Sequence, residues 1–328
     1  MYNIINTYGR IIKVKVGIVG AGSIVKELLS VKNKIEGVYF EYIFTRREEA
    51  AMLVAEKYNI PNIAKSYDEL LSTNADVIYI ALPNDLHFEY ARRAIECGKS
   101  VVLEKPFTKD LDECDALISL ANEKGVYLFE AISNVHTKTL AKACEFLEKS
   151  GKIKKARLGF MQRSRRYDDF KNGIIHPVFD KNKCGGALYD LGVYPMHILV
   201  ALFGEPEKVK YLPKTEKEVD VAGKLTFVYK DFKAVCEISK CKEGDNGLLV
   251  ECERGKLLSL SKPNELSDLT VAVKGGEVIY NGNTGAERLI YQWESFRDIY
   301  NSKDKQREKS LLDNTRCVMK LIDEIKKA

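Results

Sequence analysis

The sequence predicts two domains: an α/β domain with a doubly wound parallel sheet, followed by an α+β domain with a mainly antiparallel sheet. In the first 132 residues, short apolar runs alternate with helical stretches, which is typical of right-handed βαβ units. The later part carries short apolar runs separated by turn signals, which favours hairpins. A chain of 328 residues is long enough for both domains, and we expect the boundary to divide 1–132 from 133–328.

The elements of the first domain follow from apolar runs that end at turn or helix signals. The run over 13–19 reads Lys-Val-Lys-Val-Gly-Ile-Val and precedes a glycine-rich turn, and the runs over 76–82 and 100–104 end near Pro83 and Pro106. The predicted strands are 13–19, 38–44, 64–66 (a short edge strand), 76–82, 100–104 and 127–130. The predicted helices are 23–31, 47–58, 67–72, 85–97 and 112–124.

The second domain is predicted to pair its strands in an antiparallel meander. Turns such as Tyr-Lys-Asp and Gly-Asp-Asn separate its apolar runs, and Pro195 is expected to kink or restart the helix that contains it. The predicted helices are 139–150, 187–203, 286–300 and 304–326, and a loop is predicted over 164–186. The predicted strands are 154–163, 209–212, 222–229, 234–241, 247–252, 255–260 and 269–273.

Composition and charge exclude several classes of protein. Apolar residues make up 45% and charged residues 30%, which excludes disordered, collagen-like and small disulfide-rich chains. The net charge of +5 is too small for a nucleic-acid footprint, and no apolar run approaches the ~18 residues that cross a bilayer. Residues 1–12 lack a secretory signal, and the eight cysteines form no C-x-x-C pair. We therefore expect buried free thiols and a cytoplasmic protein without nucleic-acid or membrane partners.

A glycine-rich turn lies between the first strand and the first helix. Residues 20–25 read Gly-Ala-Gly-Ser-Ile-Val. Gly20 permits a tight turn, and Gly22 lets a pyrophosphate approach the backbone and the first-turn amides at Ser23 and Ile24. Val25 stands where Gly or Ala is usual. The placement predicts a Rossmann dinucleotide site, and the alternative is a turn used only for close packing.

The end of the second strand bears on the choice of cofactor. Thr45, Arg46 and Arg47 stand where NAD sites usually place an acid that accepts from the ribose hydroxyls. Guanidinium groups pair bidentately with phosphate, so this segment favours NADP over NAD. In the alternative interpretation, the arginines merely begin an exposed helix beside Glu48 and Glu49.

Three further segments, in this order and spacing, resemble one enzyme family. They are Ala-Leu-Pro-Asn-Asp-Leu-His at 81–87, Glu-Lys-Pro at 104–106 and Gly-Gly-Ala-Leu-Tyr-Asp-Leu-Gly-Val-Tyr at 185–194. With the glycine turn they resemble the Gfo/Idh/MocA oxidoreductases, the family of glucose–fructose oxidoreductase and inositol dehydrogenase. The resemblance covers nearly the whole chain from about residue 13. It implies a Rossmann domain followed by a domain with a large open sheet, and a homodimer or homotetramer formed through that sheet.

The resemblance also implies roles for individual residues. Lys105 would be the lysine of the substrate site, and Asp190 and Tyr194 would be the paired groups of the later helix. Tyrosine at this position resembles the glucose–fructose oxidoreductase and dihydrodiol dehydrogenase branches more than inositol dehydrogenase. The residues implied to lie along the nicotinamide side of the cofactor are Leu82, Pro83, Asn84, His87, Glu104 and Lys105.

These residue types suit hydride transfer to or from a carbinol carbon, which requires a proton to move on the attached oxygen. Lys105 can hydrogen-bond that oxygen and lower the pKa of a neighbouring phenol, so Tyr194 is the predicted proton-transfer group. Asp190, four residues earlier on the same helix face, would orient Lys105 or bind a substrate hydroxyl. His197 is an alternative acid/base or a core residue. The histidines show no metal-ligand spacing, and no metal is expected.

The predicted function is NAD(P)-dependent oxidation or reduction of a secondary alcohol or ketone in a sugar, cyclitol or diol. Two alternatives stay open: a catalytically silent NAD(P)-binding regulator, and a lyase or glycosidase that reduces its bound NAD transiently. The arginine-rich segment over 163–170 would hold a polyol, acid or phosphate, or would be a solvated loop whose charges pair locally; the second interpretation is favoured.

Overall fold

The structure is a computed structural model that describes residues 13–327; the first twelve residues and the last lie outside the described residues. Within that range the chain forms two β-sheets. The first sheet contains β1 Val14–Val19, β2 Val38–Phe44, β3 Asn62–Ile63, β4 Val77–Ile80, β5 Ser100–Glu104 and β6 Leu128–Ala131. The second contains β7 Ile153–Met161, β8 Lys208–Glu216, β9 Val219–Val228, β10 Lys233–Ser239, β11 Gly247–Cys252, β12 Gly255–Ser259, β13 Asp268–Val273 and β14 Gly276–Asn281.

The helices of the described region connect and cover these sheets. They are α1 Ser23–Ser30, α2 Glu48–Tyr58, α3 Tyr67–Leu71, α4 His87–Glu96, α5 Leu111–Lys124, α6 Lys138–Leu147, α7 Tyr167–Lys171, α8 Val193–Phe203, α9 Arg288–Ser302 and α10 Lys305–Lys327.

The first sheet is parallel throughout and has the strand order β3-β2-β1-β4-β5-β6. The order reverses between β1 and β4, so the carboxyl ends of these strands border a crevice where ligands bind in open α/β sheets. The sheet is buried on both faces: Ile78 packs in the cluster that includes α4 and α5, and Tyr79 packs in the cluster that includes α1 and α2. The predicted doubly wound α/β domain is confirmed.

The C-terminal helices pack against the first sheet although they follow the second sheet in sequence. Trp293 of α9 lies edge-on to Phe40 and Tyr79, with ring centroids 5.1 and 5.3 Å apart. In α10, the Glu308 carboxylate accepts a hydrogen bond of 2.8 Å from the backbone N–H of Leu128. The domain boundary at residue 132 stays a prediction. Residues from both sides of this boundary pack together in one hydrophobic cluster.

The second sheet has the order β14-β13-β12-β11-β7-β10-β9-β8 and confirms a mainly antiparallel domain. The meander predicted over 209–273 is interrupted between β10 and β11, because β7 lies between these two strands and pairs parallel with β10. β7 precedes α8 in sequence but lies in the middle of the sheet. Its parallel pairing with β10 therefore requires a crossover connection, which includes α8. Ala156, Leu158 and Phe160 of β7 are buried towards the core that contains α8.

Several local predictions differ from the structure. The short edge strand lies at Asn62–Ile63 and not at 64–66. The predicted loop over 164–186 contains α7, and β14 was not predicted. Most of β14 is exposed, so it lacks a buried apolar run, although Gly275 and Gly276, both at positive φ, form a turn typical of a hairpin.

The helix predicted over 187–203 is irregular at its start. Leu188–Gly192 forms a π-helical turn, which widens the helix directly before α8. Pro195 lies in the first turn of α8, where a missing N–H donor is tolerated. The helix was expected to kink or restart at Pro195, and the observed irregularity is instead the π-helical turn directly before α8. The stretch Lys181–Phe203 is long and apolar enough to cross a membrane by length and composition, but 67% of its apolar window is buried inside the fold. A buried core helix passes the same test.

The thiols of all eight cysteines are free. Cys114, Cys236 and Cys252 are buried, as expected. Cys97 directly follows α4 and is exposed, so the expectation of burial is wrong there.

Candidate active site

A cleft of about 620 Å³ lies at the carboxyl edge of the first sheet and is lined by both halves of the chain. The loops after β1, β4 and β5 form one wall. The π-helical turn, the loop before it and the start of α9 face them. The predicted site residues that line it are Gly22, Ser23, Ile24, Leu82, Pro83, Asn84, Glu104, Lys105, Asp190 and Tyr194.

The glycine turn has the geometry of a dinucleotide cradle. Gly20 has φ +117°, and a Cβ there would lie 2.3 Å from the carbonyl oxygen of Ala81. Gly22 immediately precedes α1, and a Cβ at Gly22 would meet no atom within 4 Å, because this position opens onto the cleft. Backbone N–H groups at the start of a helix attract anions. The loop therefore fits the pyrophosphate of a dinucleotide, with Ser23 and Ile24 beside it.

Thr45, Arg46 and Arg47 directly follow β2, beside the glycine turn. β2 pairs with β1 up to Phe44, which lies opposite Val19, and Gly20 donates a 2.8 Å hydrogen bond to the Phe44 carbonyl. The Thr45 hydroxyl accepts a 3.1 Å hydrogen bond from the backbone N–H of Arg47. Both arginines are exposed, and within residues 13–327 neither guanidinium has an acidic partner. This segment has unpaired positive charge where the ribose of a bound dinucleotide lies in Rossmann folds.

Lys105 and Asp190 form an ion pair in the wall of the cleft. The Lys105 Nζ donates to Asp190 Oδ1 at 2.9 Å and to the Asp190 carbonyl at 3.1 Å. Burial is the largest single influence and opposes the charged form of Lys105, but the contacts with Asp190 together with the nearby Tyr194 and Glu104 outweigh burial and raise the pKa of Lys105 above its usual range. Lys105 is therefore an ammonium at neutral pH, and it lines the cleft at the carboxyl edge of the sheet.

Asp190 contacts a second ammonium that sequence reasoning missed. The Lys240 Nζ lies 2.9 Å from Asp190 Oδ2, and the Lys240 side chain is only 2% exposed. Burial alone would raise the pKa of Asp190, but the two lysines outweigh it and hold that pKa below its usual range. Asp190 is thus a carboxylate shared between two cations.

Tyr194 places its phenol ring beside Lys105. The Lys105 Nζ lies 5.0 Å from the centroid of the Tyr194 ring, and the ring packs edge-on against Phe160. Burial raises the pKa of Tyr194, and the positive charges of Lys105 and Arg288 only partly oppose this. The expectation of a lowered pKa is therefore wrong in its net direction. Tyr194 is protonated at neutral pH and can donate a proton.

Glu104 adds a titratable group to the cleft. The Tyr79 hydroxyl donates a 2.6 Å hydrogen bond to Glu104 Oε1. Burial raises the pKa of Glu104 to about 7, because the hydrogen bond from Tyr79 and the positive charge of Lys105 only partly offset the loss of water. A carboxyl group with this pKa is ionised in part at neutral pH.

Two predicted histidines lie outside the cleft lining. His87 is fully buried, and its Nε2 and Nδ1 lie 3.0 and 2.9 Å from the carbonyl oxygens of Leu82 and Pro106. It therefore ties together the two loops that line the cleft. His197 is buried beside Asn314 of α10, with its Nδ1 2.5 Å from Asn314 Oδ1.

Of the two interpretations of His197, an acid/base or a core residue, its buried position outside the cleft lining favours the core residue. The His197 Nε2 lies 3.2 Å from Glu130 Oε2 in the interior between α8 and β6. His197 is thus placed as a core residue.

Arg288 and Gln292 of α9 also line the cleft and were missed from the sequence. Arg288 donates to Glu27 of α1, and its Nε has no hydrogen-bond partner among the described residues. Gln292 Oε1, also buried, likewise lacks a partner within the described part of the chain. Both residues border the cleft, but no local motif marks them, because they lie far from the glycine turn in sequence.

The arginine-rich segment divides into paired and unpaired cations. Arg163 forms two hydrogen bonds of 2.9 and 2.7 Å to the Asp168 carboxylate, as a locally paired loop predicts. Arg166 and Lys183 line the cleft. In residues 13–327, no group of three or more His, Cys, Asp or Glu side chains is arranged to hold a metal ion.

Comparisons with known proteins agree with this architecture. Residues 14–132 match the family model described as "Oxidoreductase family, NAD-binding Rossmann fold", and residues 149–258 match the "GFO/IDH/MocA C-terminal domain". The chain is 26% identical over 319 residues to the scyllo-inositol 2-dehydrogenase (NADP(+)) of Bacillus subtilis, covering 96% of each protein. It is 30% identical over 198 residues to the trans-1,2-dihydrobenzene-1,2-diol dehydrogenase of Mus musculus, covering 59% of this chain and 58% of the mouse protein.

Solved structures show the same fold at low sequence identity. KijD10, a 3-ketoreductase from Actinomadura kijaniata in complex with TDP-benzene and NADP, superposes with a TM-score of 0.80 at 20% identity. The superposition covers 96% of this chain and 97% of KijD10. Because the two family models together match more than half of the sequence, the chain belongs to the Gfo/Idh/MocA family of oxidoreductases, and its first domain is an NAD(P)-binding Rossmann domain.

Proposed function

We propose that this protein transfers a hydride between NADP and a secondary alcohol or ketone of a sugar, cyclitol or diol. One observation supports this above all: the ammonium of Lys105 and the protonated phenol of Tyr194 lie together in the same cleft as the glycine turn. A relative across the full length is a scyllo-inositol 2-dehydrogenase, and a shorter match is a dihydrodiol dehydrogenase.

The roles follow from the charge state of each group. The nicotinamide, when bound, supplies or accepts the hydride. Lys105 donates a hydrogen bond to the substrate oxygen and stabilises the negative charge that develops there. Tyr194 gives the proton to that oxygen during reduction and takes it during oxidation. Asp190 holds the Lys105 ammonium in place at 2.9 Å.

The cofactor would be held by residues of the first domain. The backbone at Gly20, Gly22, Ser23 and Ile24 would hold the pyrophosphate, and the loop after β4 would line the nicotinamide side through Leu82, Pro83 and Asn84. Glu104 and Lys105 border the same end of the cleft. His87 would act from behind the loop, through its contacts with backbone carbonyl oxygens.

A preference for NADP is supported by the unpaired charges of Arg46 and Arg47. A guanidinium group pairs well with a 2′-phosphate, which NAD lacks. The Arg46→Ala/Arg47→Ala variant should raise the Kd for NADPH at least tenfold and change the Kd for NADH less than threefold, measured by fluorescence titration. Lys274→Ala, an exposed lysine beside the β13–β14 turn, is the matched control. Equal changes for both cofactors would contradict the preference.

A substrate panel tests the activity itself. Cyclitols, aldoses and diols would be offered with NADP, and the corresponding ketones with NADPH. Turnover of at least one member is expected. Tight cofactor binding without turnover across the panel would favour a silent NAD(P)-binding regulator. Turnover without net change of a tightly bound cofactor would favour a lyase or glycosidase that uses NAD transiently.

The second sheet supports a homodimer or homotetramer. It exposes large apolar side chains, including Leu212 of the edge strand β8 (73% exposed) and Leu260 directly after β12 (71%). Exposed apolar area of this kind marks interaction surfaces. Light scattering after gel filtration should give at least twice the monomer mass, and Leu212→Lys/Leu260→Lys should shift it towards the monomer. The free thiols support a reducing, cytoplasmic location, which cell fractionation tests.

A further inference from the structure

Lys240 is a buried lysine that does not line the cleft. It directly follows β10, and its backbone N–H donates a 2.8 Å hydrogen bond to the Val221 carbonyl. Its Nζ donates to the Val178 carbonyl at 2.6 Å and lies 4.4 Å from the centroid of the Phe179 ring. Removing an ammonium from water is costly unless an anion compensates for the lost hydration. Asp190, 2.9 Å away, is that anion.

The Asp190 carboxylate is divided between the two lysines. Oδ1 accepts from Lys105 and Oδ2 lies within hydrogen-bond distance of Lys240, both at 2.9 Å. Two contacts on opposite oxygens fix the rotation of the carboxylate, which a single ion pair would not. The negative charge of Asp190 is therefore shared between Lys105 and Lys240, and its attraction for Lys105 is weaker than in a simple ion pair.

We propose that Lys240 is a positioning residue for the reaction, which holds the Asp190 carboxylate from the protein interior so that Asp190 does not hold the Lys105 ammonium entirely and Lys105 can donate a hydrogen bond into the cleft. This rests on the proposed function for its catalytic meaning, but the geometry that carries it is independent of any substrate. The sequence motifs did not mark Lys240, because it lies directly after a strand and outside every motif described above.

Other titratable groups close to Lys105 and Lys240 also influence the pKa values of these two lysines. Glu104 ends β5 and directly precedes Lys105, Tyr194 lies on α8, and Asp220 of β9 is close enough to Lys240 to favour its charged form. Burial lowers the pKa of Lys240, and Asp190 opposes this. Loss of the Lys240 ammonium removes one positive charge near Lys105. It also leaves Lys105 as the single lysine that pairs with the Asp190 carboxylate. Both changes favour the charged form of Lys105.

The test measures Lys105 directly, without turnover. Wild type, Lys240→Met and Lys240→Arg would be acetylated with acetic anhydride at a series of alkaline pH values, and modification at Lys105 read by mass spectrometry. In Lys240→Met the rate at Lys105 should fall about tenfold at a given pH, which corresponds to one unit of pKa. Lys240→Arg keeps the charge and should stay within threefold of wild type. The exposed Lys274 is the internal reference.

A second variant and a kinetic measurement keep the proposal testable if Lys240→Met does not fold. Lys240→Gln keeps a hydrogen-bond donor without the charge and should show the same tenfold fall as Lys240→Met. In steady state, either neutral variant should lower kcat about tenfold, because Asp190 then holds the Lys105 ammonium more tightly and away from the substrate oxygen. The Kd for NADPH should stay unchanged. An unchanged acetylation rate at Lys105 in either folded neutral variant overturns the proposal. A wild-type protein without turnover would overturn the proposed function and leave this result intact.

Discussion

Replacement of Lys105 by methionine removes the ammonium and keeps a stem of similar length. In the structure this ammonium makes two hydrogen bonds to Asp190, and the side chain is 17% exposed. Loss of a preorganised donor at a developing oxyanion typically costs about 3–4 kcal/mol of transition-state stabilisation, or roughly 10²–10³-fold in kcat. We therefore expect Lys105→Met to lower kcat at least a hundredfold at neutral pH.

The same substitution should affect stability only moderately. Breaking a buried ion pair costs about 3–5 kcal/mol when the remaining charge is left alone. Asp190 keeps Lys240 at 2.9 Å, so the expected loss is about 1–2 kcal/mol in urea unfolding. The assay follows the absorbance of the reduced cofactor, with the Kd for NADPH measured in parallel and expected within threefold of wild type.

Lys109→Met is the matched control, because Lys109 is exposed and pairs with Glu113 within one helical turn. Its kcat should stay within twofold of wild type, since exposed ion pairs contribute little. A kcat for Lys105→Met within threefold of wild type, in a folded protein that still binds NADPH, would refute the role assigned to this lysine.

Three further substitutions extend the account. Tyr194→Phe removes the proton donor and should lower kcat about a hundredfold with little change in NADPH binding; turnover equal to wild type would assign the proton to another group. Gly22→Val adds a side chain where no atom lies within 4 Å, so the unfolding midpoint should hold while the Kd for NADPH rises at least tenfold; unchanged binding would contradict the cradle. Glu104→Gln tests the pKa of about 7. This pKa lies above the ordinary 4.5, so the stabilisation from protonated Glu104 is complete below pH 4.5 and is lost as the pH rises through 7, by up to about 3 kcal/mol. The variant should lack this loss in urea unfolding, and parallel pH profiles of the two proteins would argue against it.

Much of the fold could be predicted from the sequence because the first sheet is buried on both faces. β2, β5 and β11 match the predicted ranges, since each is a continuous or alternating apolar run between turn residues. The glycine turn was placed correctly for the same reason: a strand ends and a helix begins around it. The exposed edge strand β14 has no such burial signal.

The candidate site could be predicted only where its residues lie in short motifs. Lys105, Asp190 and Tyr194 stand in such motifs, and the structure brings them together. Lys240 and Arg288 were missed because each is defined by burial against a residue more than forty positions away along the chain. His197 was offered as an acid/base from local spacing alone, whereas its contacts with α10 depend on tertiary packing.

The proposed activity of this cleft is the transfer of a hydride from a nicotinamide to a carbonyl carbon. The most direct measurement uses NADPH deuterated at the transferring position, with the ketone panel as substrates and mass spectrometry of the products. Wild type should produce an alcohol that carries one deuterium on the reduced carbon, and Lys105→Met should produce at least a hundredfold less of it in the same time. Bound, unconsumed NADPH with no deuterium in any product would contradict the account.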